Sequence, residues 1–283
     1  ADAGRVYDCM VTNCWAYRGG AIMYGSAYRT RFVDCCGGNG VTRYTAFYAC
    51  LFDHMSRSTV AVAGGGTKSY FCTCVSDGGV SLASDSGTDA YNSIFSRPAA
   101  ASKSGTVAAS GLTLAGNVLW KFNTYNAQSG YIKEDPLFVD DEEDLRILST
   151  SPAIGAGTAE NLYQFYTTDI EGRPLQIVDG RPTAGAWQVP VQAVVLSDPE
   201  SGAYNVGEVT PVEAGETITV TAADTSRHAI DFTVDGEPNG AATWTYTAPE
   251  DGCPSAPITI GPVVYSTNWY VNANAKLGDE KGD

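Results

Sequence analysis

The chain has 283 residues, 43% of them hydrophobic, enough to bury one large core or two ordinary ones. Its formal charge of −15 argues against the clustered Lys and Arg that phosphate backbones require, so no nucleic-acid partner is expected. No run approaches the roughly 18 apolar residues that cross a bilayer; membrane insertion is not expected, and the composition suits an extracellular or cell-surface setting.

From the N-terminus, the first distinctive feature is cysteine. Cys9, Cys14, Cys35, Cys36, Cys50, Cys72 and Cys74 crowd the first quarter of the chain, whereas Cys253 stands near its end. A zinc ribbon would need two CxxC pairs. Here the tightest spacings are Cys35-Cys36 and Cys72-x-Cys74, and the only histidines are His54 and His228. Small buried residues in a repetitive core account better for the cluster. Stacked cysteines in neighbouring coils would be close enough for a disulfide, and reduced thiols fit the same arrangement.

A repeat supports that reading. The segments VYDCMVTNC, FVDCCGGNG, FYACLFDH, YFCTCVSDG, AYNSIFSR and LAGNVLW align as aromatic or aliphatic, spacer, small polar or Cys, then an apolar pair. The small positions are Cys9, Cys35, Cys50, Cys72, Ser93 and Asn117, a loose period near 22. Short strands at such a period predict a parallel β-solenoid, with equivalent residues of successive coils about 4.8 Å apart. The glycines of RGGAI, CGGNG, AGGGT and DGGVS fit its corners.

Residues 6–187 carry a resemblance. Their closing portion runs EDPLFVD (134–140), DLRILSTSPAIGAG (144–157), DIEGRP (169–174) and GAW (185–187). That order resembles the end of bacterial right-handed parallel β-helices of the pectate-lyase-like group, with Trp187 standing where a Tyr is usual. The resemblance implies the fold and leaves chemistry open, because lyases and adhesins share this ending.

After Pro190, short alternating runs such as GETITVTA, AIDFTVDG and ATWTYTAP separated by DGEPNG and PEDG predict a small antiparallel β-sandwich. They resemble the Ig-like modules of bacterial surface proteins. The last segment, with Trp269, Tyr270, Val271 and Asn272, resembles the opening strand of another β-helix. The expected fold is therefore all-β: a right-handed parallel β-helix over 1–188, an Ig-like β-sandwich over 189–266, and over 267–283 the start of a following β-helix or an inter-subunit strand. The chain reads as a fragment of a longer or repeating protein.

Chemistry is less marked. A lyase needs a basic residue beside carboxylates; Arg18, Arg29, Arg31, Arg43 and Arg57 lie in the solenoid part, with Asp8, Asp34, Asp53 and Asp77 near the repeat positions, without forming a motif. Asp140, Asp141, Glu142, Glu143 and Asp144 form an acidic run that would ligate Ca2+ if their oxygens converged, Asp140, Asp141, Glu142 and Asp144 being the candidate ligands. No other cofactor is expected. Trp15, Tyr17, Tyr24, Tyr28, Tyr44 and Tyr48 crowd the first coils and would offer sugar rings apolar faces and polar tips. The functional expectation is an extracellular structural or adhesive surface module, filament-forming through its C-terminal strand. Its partners would be neighbouring copies, further modules of the same chain, or polysaccharide. The alternative is a polysaccharide-active β-helix protein, either a uronate lyase or a carbohydrate-binding module.

Overall fold

A computed structural model describes residues 4–17, 20–37, 42–53, 66–76, 88–97, 105–108, 113–125, 131–159, 167–188, 190–199, 204–222, 229–249 and 256–265. The segment containing Trp269, Tyr270, Val271 and Asn272 lies outside them, as do His54, His228 and Cys253. The chain divides into two compact units. The first comprises 1–193, 211–216 and 248–257; the second comprises 194–210, 217–247 and 258–283.

The first unit is built on a parallel β-solenoid. Each passage of the chain lays one strand on each of two sheets, so strands adjacent in a sheet are separated in sequence by one coil. The first sheet takes Gly4–Tyr7, Ile22–Tyr28, Thr42–Tyr48, Lys68–Tyr70, Asp89–Tyr91 and Thr113–Ala115 in that order. The second takes Met10–Thr12, Arg31–Val33, Leu51–Asp53, Thr73–Val75, Ile94–Ser96, Asn117–Leu119 and Tyr131–Ile132. Every pairing within both sheets is parallel.

Strand alternation then separates inside from outside. In the first sheet Val6, Ala27, Phe47, Ser69, Ala90 and Leu114 share one register row, and the apolar members of that row meet Phe32, Phe52, Phe95 and Leu119 of the second sheet in the interior. The next row of the first sheet, Tyr7, Tyr28, Tyr48, Tyr70 and Tyr91, faces outward. Its rings stack at centroid distances of 4.6, 4.8, 5.0 and 5.2 Å.

The corner after this row explains the small residues. Asp8, Arg29, Ala49, Phe71 and Asn92 adopt left-handed backbone there, with φ between 44° and 51°. Such a conformation costs an L-residue about 1 to 2 kcal/mol. The ladder continues through the corner and offsets that cost: the corner N–H donates to the tyrosine carbonyl one coil on, as from Arg29 to Tyr48 at 3.0 Å and from Ala49 to Tyr70 at 2.9 Å. The following side chain donates back to the tyrosine carbonyl of its own coil. Cys9 bonds Tyr7 O at 3.0 Å, Thr30 bonds Tyr28 O at 2.9 Å, and Ser93 bonds Tyr91 O at 2.9 Å. Cys50 and Cys72 do the same at 3.4 Å.

This register corrects the alignment read from the sequence. The ladder is Cys9, Thr30, Cys50, Cys72, Ser93 and Asn117, spaced by 20 to 24 residues. Cys35 belongs instead to a second corner, where Cys36 N–H donates to Cys14 O at 2.9 Å. Thr30 takes the ladder place because the position requires a short side chain with a donor, which Thr supplies as well as Cys. Asn117 closes the series. Its amide donates to Ala90 O at 2.8 Å and its carbonyl accepts Ser93 N–H at 2.9 Å. At the corner before it stands Gly116, where an added Cβ would lie 2.3 Å from Asn92 Oδ1.

A closing segment covers part of the outer face of the second sheet. Phe138–Asp140 pairs antiparallel with Asp144–Ile147, and Ala153, Ala156, Ile170, Ala184, Ala186 and Trp187 pack with Leu51, Val75, Ile94 and Val118 into a second apolar cluster. Burial of each large side chain there contributes about 2 kcal/mol. Thr73 Oγ1 accepts Ala186 N–H at 2.9 Å, and Gly185 N–H donates to Asn92 O at 2.9 Å. Gly185 has φ near 103°, which disfavours an L side chain, and a Cβ there would fall 2.6 Å from Ile94 Cδ1.

The second unit is also all-β. Its Thr217–Thr221 and Thr243–Thr247 strands pair antiparallel, with hydroxyls facing across at Thr217 and Thr247, 2.8 Å apart. Ala229–Val234 runs antiparallel to Ile258–Tyr265, while residues 194–196 pair parallel with 258–260. Buried Val220, Phe232 and Ile260 mark its interior, and the Tyr204 hydroxyl donates to Gly261 O.

Candidate functional site

The six aromatic residues proposed for sugar stacking occupy three places. Tyr28 and Tyr48 belong to the five-ring column, where each ring face is covered by its neighbour and is closed to stacking on a sugar. Tyr24 and Tyr44 form a separate stacked pair 5.1 Å apart, both on left-handed backbone, with the Arg43 guanidinium 5.2 Å from the Tyr44 ring. Trp15, 71% exposed, and Tyr17, 66% exposed, stand apart from both.

The acidic run does not gather its oxygens. Asp140 Oδ1 accepts the N–H groups of Glu142 and Glu143 at 2.8 and 3.0 Å, which closes a turn. Asp144 turns to Arg146, whose Nε donates to Oδ1 at 2.9 Å. Among the described residues no group of three His, Cys, Asp or Glu is placed to hold a metal ion.

The structure does bring together residues far apart in sequence, in an open cleft of about 280 Å3. Arg31, Leu51 and Asp53 come from the outer face of the second sheet, residues 143–146 from the acidic turn and the strand after it, and Glu171 and Trp187 from the closing segment. Register places Arg31 beside Leu51, and Val33 beside Asp53. Leu51 disappears beneath the closing segment; Arg31, one strand further out, lies at its margin. The Arg31 guanidinium carbon sits 5.2 Å from the centre of the Trp187 ring, an arrangement that orients the cation on a flat apolar support.

Each cleft wall is held from behind. Asp169, fully buried, accepts the N–H groups of Glu171 and Arg173 at 2.9 Å each, and so fixes the DIEGR turn. Glu171 in turn accepts Trp187 Nε1–H at 3.0 Å and pairs with Arg173 at 2.7 Å. Arg146 bridges Asp144 and Glu213, each at 2.5 Å. Burial of Asp144 opposes its ionisation, but the Arg146 hydrogen bonds and the Arg31 charge outweigh that and hold its carboxyl below the usual range.

Of these residues Arg31, Asp53, Glu143 and Asp144 had a sequence signal, as charges in the solenoid part, near repeat positions or in the acidic run. Glu171 and Trp187 belonged to segments read only for the fold. The cue available was their resemblance to the end of a β-helix, which implies packing on the solenoid without saying on which face.

Comparisons with known protein families, with curated proteins and with solved structures find no match to this chain.

Proposed function

We propose that the chain is a structural, adhesive module of an extracellular bacterial surface protein, a right-handed β-helix followed by an Ig-like sandwich. The observation that carries this reading is the unbroken coil-to-coil register: the tyrosine column outside and the donor ladder at the corner repeat together over successive coils. Such a solenoid transmits load along its axis through backbone ladders and gives a stiff base for presenting a contact surface. On this reading the segment from Trp269 to Asn272 adds a strand to a neighbouring copy or a further module of the chain.

The competing reading, a polysaccharide-active protein, draws on the carboxylates and guanidinium groups of the cleft. Incubation with polygalacturonate or alginate, following the absorbance of the unsaturated product, separates the two. The adhesive module forms no such product, is retained by surface polysaccharide, and gives rods or filaments in electron micrographs. Product formation abolished by Asp53→Asn or Arg31→Ala would overturn the adhesive reading.

A further inference from the structure

We propose that the cleft beside Trp187 takes a neutral, hydroxyl-rich ligand, a sugar unit of a glycan. This inference rests on the adhesive reading and names the chemistry of the partner.

Two cleft residues stand out because, among the described residues, their side chains make no hydrogen bond. Arg31 is oriented by the Trp187 ring, and among the described residues no side chain or carbonyl accepts a hydrogen bond from its guanidinium. Glu143 lines the same cleft and is exposed; among the described residues its carboxylate accepts no hydrogen bond. The two form no ion pair with each other, although both border one cavity. The cleft therefore offers a fixed donor fork and a free acceptor with space between them.

Ligand chemistry follows from that pair. A hydroxyl accepts a bond through a lone pair and donates one through its proton, so a single group, or two on adjacent ring carbons, satisfies Arg31 and Glu143 together. A carboxylate can only accept, and it would enter against Asp53, Glu143, Asp144 and Glu171, which outnumber the two guanidinium groups. An ammonium can only donate, so it would leave the Arg31 guanidinium without an acceptor. The volume of about 280 Å3 suits one or two sugar rings. Because Arg31 covers the indole, recognition proceeds through hydrogen bonds at the ring edge and does not use stacking on Trp187.

The test is a printed array carrying neutral gluco-, manno- and galacto-oligosaccharides beside uronate oligosaccharides, probed with the full chain, followed by titration with the strongest array ligand. The expected result is retention on neutral glycans, with Arg31→Ala and Glu143→Gln each weakening binding about tenfold or more. Arg29→Ala, which breaks an exposed ion pair with Asp8, serves as the unaffected control. Glu143→Gln is nearly isosteric and exposed, so it tests the cleft even if Arg31→Ala disturbs folding. Preference for uronates overturns the proposal, as does absence of any neutral ligand. Neutral binding that survives both substitutions also overturns it, while leaving the adhesive reading intact with the contact elsewhere. Cleavage of a uronate polymer defeats the adhesive reading as well.

Discussion

Two ladders run side by side along the first unit, and they keep the same repeat by opposite means. At the corner, Cys9, Thr30, Cys50, Cys72, Ser93 and Asn117 vary in chemistry while holding one property constant, a short side chain able to donate to a backbone carbonyl. On the outer face the residue stays tyrosine five times while its surroundings change, from 2% exposed at Tyr70 to 45% at Tyr7. The corner position is defined by a hydrogen bond, so several side chains satisfy it. The outer position is defined by the meeting of ring faces, which only a flat side chain continues.

The largest effect that would sharpen this contrast is expected within the tyrosine column. Tyr70→Ala removes a buried ring stacked on both faces and is expected to cost about 3 kcal/mol, against less than about 1 kcal/mol for Tyr7→Ala, by urea midpoint. Equal losses at both ends would break the view that burial grades this column. Next comes the corner: Asn117→Ala strands the Ser93 N–H and the Ala90 carbonyl in the interior and is expected to cost about 2 kcal/mol. Cys50→Ser, which keeps the donor, should cost less than Asn117→Ala, and the reverse order would show that volume rules the corner.

A smaller, conditional effect belongs to the closing segment. The lowered Asp144 pKa means that its stabilising contribution is present above the unfolded carboxyl value, near pH 4, and is lost as pH falls through the lower folded value. Urea titrations between pH 2 and 7 should therefore show part of the acid-side loss of stability disappear in Asp144→Asn. The smallest change is kinetic. Burial, with Cys14 beside it, pushes the Cys35 thiol up to about 11, so at pH 8 about one molecule in a thousand carries the thiolate. Peptide mapping after brief alkylation should find exposed Cys9 modified well ahead of Cys35, and Cys72 and Cys74, both fully buried, modified only on unfolding.

The parallel solenoid was legible because its constraints are local: short β-rich runs and a small residue recurring near every 22 positions; the corner after the tyrosine row is turned by Asp8, Arg29, Ala49, Phe71 and Asn92 and not by glycine. Aligning on cysteine blurred the period, since Cys35 matches the composition of the ladder and belongs to another corner. Aligning on tyrosine, any residue, then a small donor would have placed Thr30 correctly and tightened the spacing. The cleft was illegible for a different reason. Arg31 and Asp53 become near neighbours through strand register, but Glu143, Glu171 and Trp187 reach them only when the closing segment folds back across the sheet. Nothing in the spacing of those residues reports that return. The acidic run shows the converse: carboxylates close in sequence suggested a cation site, while a backbone turn engages Asp140 and Arg146 engages Asp144.

The tyrosine column has an optical consequence. Five phenol rings held nearly parallel, with interplanar angles of 7° to 9°, are neighbouring chromophores whose transition dipoles couple. Their near-ultraviolet circular dichroism should carry an excitonic band that isolated tyrosines lack. Because that coupling weakens steeply with separation, the band would report stretching of the coils in solution without any added label.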